Sequence, residues 1–345
     1  MIPSIELDSL DGDPVNDWFT PQIDAMQLAR LRRRSNWPGL AYFGTWLILC
    51  LASGTAVVAA MGSYWIAAAI VAHGVLLSCS YAASHECSHG TAFRTRWLNE
   101  IVLWIASLAF MEEALYRRYA HAEHHTYTWF NSIDPQKPYG LPLTFGQYLK
   151  ETVGIGFYVE AFRRLARHSL GRFTTEERRF LPERERPRVR ADSLLMLLCY
   201  GGLLIWGVAG PSPWPFVLYF IPRFLGGCIV SLYINTQHMC MAEDLKDHRL
   251  TTRSIRCSAI ERLLYWNMNF HIEHHLHPAV PFHALARLHC CIASELPVPT
   301  SSMWAANRDI VRAIRRQRLD PGYHLGTCRR AQSAPDAPGS STATS

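Results

Sequence analysis

Eight of the sixteen histidines in this 345-residue chain stand in three tight groups spaced like metal ligands on helices. The groups are His85-Glu86-Cys87-Ser88-His89, His121-Ala122-Glu123-His124-His125 and His271-Ile272-Glu273-His274-His275. Helical positions i, i+3 and i+4 share one face, so the first group can present two imidazoles together and each of the others three. A ninth histidine, His238, closes an apolar run at Asn235-Thr236-Gln237-His238. One ion with roughly four to six ligands would leave several of these nine idle, so two metals account for them better. Imidazole suits zinc, copper, iron and nickel alike, so the ligand type does not name the metal.

Each group has a competing reading. His73, His168, His248, His283, His289 and His324 stand singly and read as polar anchors or satisfied core residues, and His277 is left unassigned. The first group also satisfies H-E-x-x-H, in which two histidines hold zinc and Glu86 would be the general base of a membrane zinc metalloprotease. Such a site needs one further protein ligand and leaves both triplets unexplained. A metal carrier would spread its ligands along a path near the bilayer midplane, whereas these gather at one end.

The elements that position the histidines are long and apolar. Residues 41–62 and 63–84 form two runs without Asp, Glu, Lys or Arg, and 193–210 is a third. The fourth, 214–237, holds Arg223 beside Pro222. At about 1.5 Å rise per residue such runs can cross a hydrocarbon core of about 30 Å. The expected fold is an all-α integral membrane protein. Four transmembrane helices form two hairpins, and a cytoplasmic helical cap carries a di-metal site. The segment 97–111 is shorter and carries Glu100, so it reads as interfacial. Around this domain (41–295) lie an N-terminal segment (1–40), a C-terminal segment (296–325) and a polar, proline-containing tail (326–345) expected to be disordered.

Basic residues set the expected orientation. Arg30, Arg32, Arg33 and Arg34 precede the first run, and 162–190 is dense in arginine, which places both termini and all four histidine groups in the cytoplasm. The acidic start (Glu6, Asp8, Asp11, Asp13, Asp17) lacks the pattern of a cleaved secretory signal. The net charge of +6 fits anionic lipid headgroups or an acidic soluble partner better than nucleic acid. Ten cysteines include no C-x-x-C pair, and Cys50, Cys79, Cys199 and Cys228 fall in apolar runs, so reduced structural thiols are expected.

Taken in order, the three groups resemble the histidine boxes of the membrane fatty-acid desaturase superfamily, over roughly residues 40–295. That resemblance implies a non-haem di-iron centre held by His85, His89, His121, His124, His125, His238, His271, His274 and His275. It implies O2 as co-substrate, two external electrons, and insertion of a C=C bond, with hydroxylation as the alternative outcome in the same superfamily. The region 235–289 is also similar to the dihydrorhizobitoxine desaturase branch. The substrate is then either a lipid acyl chain or a small amino-acid-derived molecule, and the location a bacterial inner membrane.

One departure concerns an asparagine that stearoyl-type desaturases carry four positions before the extra histidine. Here that position is Ile234, with Asn235 next to it. No haem or iron–sulfur motif is present, so electrons are expected from a separate ferredoxin-like donor and its reductase, with the arginines of 163–190 as a dock. Glu86, Glu123 and Glu273 flank box histidines and, with Asn131 and Asp134, are candidates to orient imidazoles or contact substrate. Arg223, a charge inside an apolar run, either snorkels or binds a substrate carboxylate.

Overall fold

The computed structural model describes residues 18–326; the acidic start and the polar tail lie outside the described residues. Sixteen α-helices occur among them: α1 (Ala25–Leu31), α2 (Trp37–Ala59), α3 (Ile66–Ser78), α4 (Ser80–Ser88), α5 (Arg96–Phe110), α6 (Ala114–Thr126), α7 (Phe145–Val153), α8 (Ile155–Ser169), α9 (Thr175–Phe180), α10 (Arg186–Ala209), α11 (Ile221–His238), α12 (His248–Thr251), α13 (Ala259–Leu264), α14 (His271–Leu276), α15 (Leu285–Ile292) and α16 (Met303–Gln317). No strand forms among the described residues beyond one isolated bridge, Ile255 to Thr300.

Four helical stretches are long and apolar enough to cross a membrane: Trp37–Ala59, Ile66–Ser88, Glu183–Ala209 and Phe216–His238. Their limits differ from the apolar runs for local reasons. The first starts at Trp37 because Pro38 sits in the first turn, where a missing N–H costs nothing. The second starts only at Ile66, after a turn in which Gly62 takes φ 78°, and runs past residue 84 through the first histidine group. The third begins ten residues before Ser193, because the arginine-rich stretch continues the same helix.

The second and fourth stretches cross backbone to backbone. A Cβ on Gly74 would lie 1.9 Å from the Pro222 carbonyl oxygen, and one on Gly226 would lie 1.9 Å from the Gly74 carbonyl carbon. Pro222 has no N–H for the Leu218 carbonyl, and the chain there widens into a π-turn, Phe216–Phe220. His73 closes the gap, with Nε2 3.0 Å from the Leu218 oxygen and Nδ1 2.8 Å from Ser53 Oγ. It is a satisfied core histidine, as its isolation suggests.

Arg223 does not snorkel. It is 1% exposed, and its guanidinium donates to the Phe110 carbonyl (2.8 and 3.2 Å), Tyr158 Oη (2.6 Å) and Ser78 Oγ (3.2 Å). Phe110 ends α5, Tyr158 lies on α8 and Ser78 ends α3, so this one cation ties three helices to α11. The charge sits in the apolar stretch at tolerable cost because oxygen acceptors surround it. α5 buries Asn99, Val102, Leu103, Ala106 and Phe110 and exposes Trp97, Ile101 and Ile105.

At one end of the bundle, α4, α6, α12 and α14 form the cap. Every residue of α4 is buried. α14 begins after a tight turn at Trp266 (φ 48°) and Asn267 (φ 53°) and is fixed by Ser254, whose Oγ accepts from Ile272 N at 3.0 Å. A second buried polar cluster lies outside the cap. Glu113, before α6, accepts from His168 Nδ1 (2.8 Å), Arg164 Nε (2.7 Å) and Ser193 Oγ, joining α6, α8 and α10.

Candidate metal centre

Helical spacing puts each group's imidazoles on one face, and the ends of α4, α6, α11 and α14 meet so that these faces converge. Potential ligand atoms of His85, His89, His121, His125 and His274 lie within 4.8 Å of one another, and those of His124, His238 and His275 form a second such set. His271 adjoins the second set, its Nε2 3.1 Å from His238 Nε2 and 3.2 Å from His275 Nε2. The eight histidines singled out by spacing and His238, singled out by its place at the end of an apolar run, are therefore brought together in two clusters.

Each triplet divides between the clusters. In α6 the i, i+4 pair His121 and His125 (Nε2 to Nε2 3.2 Å) enters the first and His124 the second. In α14 the i, i+4 pair His271 and His275 enters the second and His274 the first. The two helices thus exchange their odd ligand.

Four of the nine rings have their outward nitrogen held by a protein acceptor, whereas the Nδ1 atoms of His125 and His271 are buried without one. His124 Nδ1 donates to Asp134 Oδ2 (2.8 Å), His121 Nδ1 to Gln136 Oε1 (3.0 Å) and His238 Nδ1 to the Thr251 carbonyl (2.9 Å). His275 Nδ1 lies 3.1 Å from Thr128 Oγ1. An imidazole that gives its Nδ1 proton outward keeps the Nε2 lone pair facing inward, the tautomer a metal requires. Both ring nitrogens of His85 and His274 are buried without a hydrogen-bond partner, and so is His89 Nε2. Unpaired buried polar atoms are costly, and inward lone pairs at 3.1–3.2 Å suit a cation between them. Burial, reinforced by neighbouring imidazoles, holds His121, His125, His271, His274 and His275 well below 6.5 and pushes His89 down to about 3. These six rings are therefore neutral and ligand-ready near neutrality, and the clustered residues fit a pair of metal ions.

Among the acidic and amide candidates, Asp134 is an imidazole partner, and it also accepts from the amides of Trp129 and Gln136. Glu86 lies behind the first cluster, 3.4 Å from His85 Nδ1 and 3.7 Å from His274 Nδ1. Glu123, Glu273 and Asn131 touch none of the nine rings. Glu123 pairs with Arg179 (3.4 Å), Glu273 accepts from Ser254 Oγ and pairs with His289, and Asn131 joins Glu243 and Asp244. Asn235 donates to Thr152 Oγ1 at 3.0 Å and reaches no imidazole. Sequence reasoning missed Gln136, Thr128 and the Thr251 carbonyl. It also missed Trp129, stacked on His238 at 4.9 Å, and His248, whose ring lies 5.1 Å from that of His275.

A cavity of about 120 Å³ borders the clusters at His85, His121, His124, His238 and His271. It shares Tyr81, Gln136, Pro138, Glu151, Ile234 and Asn235 with an adjoining cavity of about 370 Å³, walled by α7, α8 and α11.

Four helices of membrane-spanning length joined to a buried double cluster of imidazoles define an integral membrane protein with two histidine clusters that could each hold a metal ion. The chain belongs to the fatty acid desaturase family, whose model matches residues 59–305. It is 26% identical over 255 residues to fatty acid conjugase FAC2 B of Calendula officinalis and 24% identical over 260 residues to fatty acid conjugase FAC2 A of the same plant. Each match covers 64% of this chain, and they cover 64% and 65% of those relatives.

Proposed function

We propose that the chain is an O2-dependent desaturase that inserts a C=C bond into its substrate, with two iron ions held by the nine clustered histidines. The single observation that carries this reading is the convergence of nine imidazoles into two sets with inward lone pairs. Bound there, the iron pair would supply what no side chain can, an oxidant made from O2 and two external electrons that removes hydrogen from an unactivated C–H bond. One turnover takes two hydrogens from the substrate, two electrons and two protons, and returns two waters.

The residues of the chain do the rest. Asp134, Gln136, Thr128 and the Thr251 carbonyl fix tautomer and ring angle. The cavity beside His121, His124 and His271 is where the reacting carbon would sit, reached from the wider cavity past Tyr81 and Ile234. Trp129 closes the side of that space against His238. The substrate is either a lipid acyl chain or a small amino-acid-derived molecule, and the printed names of the relatives favour acyl chemistry for those relatives.

The zinc protease reading is disfavoured by Glu86. Its carboxylate sits behind His85 and His274 and forms no part of the cavity wall, where a general base would have to meet substrate. The arginine distribution supports a cytoplasmic cap and an acidic, ferredoxin-like electron donor with its own reductase; the location in this reading is a bacterial inner membrane.

Metal analysis of the purified protein tests the reading. About two irons per chain are expected. One zinc and no iron would overturn it. Product analysis with ferredoxin, reductase, O2 and acyl or amino-acid-derived substrates then identifies the reaction.

A further inference from the structure

A third cavity, of about 760 Å³, opens between α12, α14 and α16. It shares no lining residue with the two cavities beside the imidazoles. Arg249, Arg253, Arg312 and Arg316 line it, against one acid, Asp309. Arg249 is already held by Asp247 (2.7 Å) and the Glu295 carbonyl (3.3 Å). Asp309, Arg312 and Arg316 stand at i, i+3 and i+7 on α16, so one helical face brings them to the cavity.

Arg253 comes from the loop after α12 and is 9% exposed. Its guanidinium donates to the Ala306 carbonyl and to Met241 Sδ, each at 3.3 Å, and it forms no ion pair among the described residues. Burial brings its pKa down to about 10, with Cys240, Asp309 and Tyr139 acting the other way, so it stays charged near neutrality. Asp309 is the one carboxylate of the wall, and it is paired with Arg312 at 3.3 Å. Arg316 lies over the Tyr323 ring at 4.2 Å. Arg253, Arg312 and Arg316 therefore share one carboxylate, an excess of two positive charges around one space. A buried guanidinium supported by neutral acceptors and an acid out of contact gains from an anion.

We propose that this cavity binds a phosphate group, carried by a small molecule or a lipid headgroup, on Arg253, Arg312 and Arg316. A guanidinium is a planar fork that matches two phosphate oxygens. A tetrahedral phosphate offers oxygens to arginines arriving from different directions, as a flat carboxylate does not. The volume lies in the range of small-molecule sites, about 300–1,000 Å³. With no wall in common with the cavities beside the imidazoles, the ligand is not the molecule oxidised there, and the site stands or falls independently of the desaturase reading.

The test uses the full chain with its metals in dodecyl maltoside, which carries no phosphate, at constant ionic strength. Glycerol 3-phosphate, glycerate and glycerol are titrated calorimetrically. Glycerol 3-phosphate should bind about tenfold more tightly than glycerate, and glycerol not at all. Arg312→Gln and Arg316→Gln, both exposed at the rim, should each weaken it about tenfold, the loss of one charge-assisted hydrogen bond. Asp309→Asn should tighten it several-fold, a gain that structural damage does not produce. Arg253→Lys, which keeps the charge and loses the fork, should weaken it while the thermal melt stays cooperative. Arg308→Gln, on α16 outside the cavity, should change nothing.

Glycerate binding as tightly as glycerol 3-phosphate, no binding of either, or a loss in Arg308→Gln equal to that in Arg316→Gln overturns the site. Iron content, measured on the same preparation, bears on the desaturase reading alone. Phosphatidylcholine nanodiscs tell the source of the phosphate. Phosphatidylglycerol that displaces glycerol 3-phosphate beyond an equal charge of cholesteryl hemisuccinate points to a lipid headgroup, and equal displacement to a soluble phosphate ester. Either result supports the site.

Discussion

His124 Nδ1 donates to Asp134 Oδ2 across 2.8 Å, and the same carboxylate accepts from the backbone N–H groups of Trp129 and Gln136. One acid therefore shapes the loop after α6 and aims a ring of the second cluster. Asp134→Asn should lower iron affinity by about 10–100-fold while helical content is kept, because the ring loses its strongest acceptor. Competition with a coloured iron chelator measures this, and unchanged affinity would separate Asp134 from the centre.

The division of the triplets between clusters has its own signature. His238→Ala removes a ring from the second set only, so the purified variant should hold about one iron per chain instead of about two. His89→Ala should do the same from the other side. Elemental analysis of both variants decides whether the sets load separately.

Arg223 is held by three helices, and its removal leaves the Phe110 carbonyl and Tyr158 Oη without their donor. Arg223→Leu should cost roughly 2–5 kcal/mol of stability, since each orphaned buried group costs about 1–3 kcal/mol. A thermal melt in detergent measures the loss. A variant of undiminished stability with weakened binding of carboxylate substrates would return Arg223 to substrate recognition.

The buried cluster around Glu113 carries a pH dependence of definite sign. Burial alone would lower His168, but the hydrogen bonds it donates to Glu113 and Glu177, and their charges, raise it. A raised imidazole stabilises the fold below its ordinary pKa of 6.5, and that stability drains as pH climbs through the raised value. Burial opposes ionisation of Glu177, yet His168 and its other partners hold it down at about 2, so its share is present above 4.5 and lost as pH falls towards 2. The box histidines also titrate on folding, so the clean measurement is the stability of wild type minus that of His168→Phe. The difference should be largest between about pH 4.5 and 6.5 and shrink on either side.

Arg184 and Arg188 leave 85% and 68% of their side chains exposed on the proposed donor face. Reversing both to glutamate should raise the KM for an acidic ferredoxin several-fold and flatten its salt dependence, with kcat little changed. Steady-state reduction at two ionic strengths checks this.

The imidazole pattern was legible because i, i+3 and i+4 are read directly from a helix. What was hidden follows from the same geometry. Glu123 and Glu273 each stand two places after a box histidine, about 200° around the helix, so they face away and find Arg179 and Ser254. Asp134 and Gln136 come back from a loop whose path no periodicity encodes. The split of each triplet between clusters depends on the angle at which α6 meets α14, which only packing sets. Gly74, Pro222 and Gly226 lie in plain sight in the apolar runs, but their meaning needs both helices at once.

That crossing also works as a fulcrum. Eleven residues separate Gly74 from His85, a lever of about 16 Å. A side chain forced between Gly74 and Pro222 that tilted one helix by about 5° would swing the far end by about 1.4 Å. Displacements of that size cost about a hundredfold in rate when reacting groups must meet. The gauge of the centre is thus set in mid-bundle, by the absence of two methyl groups.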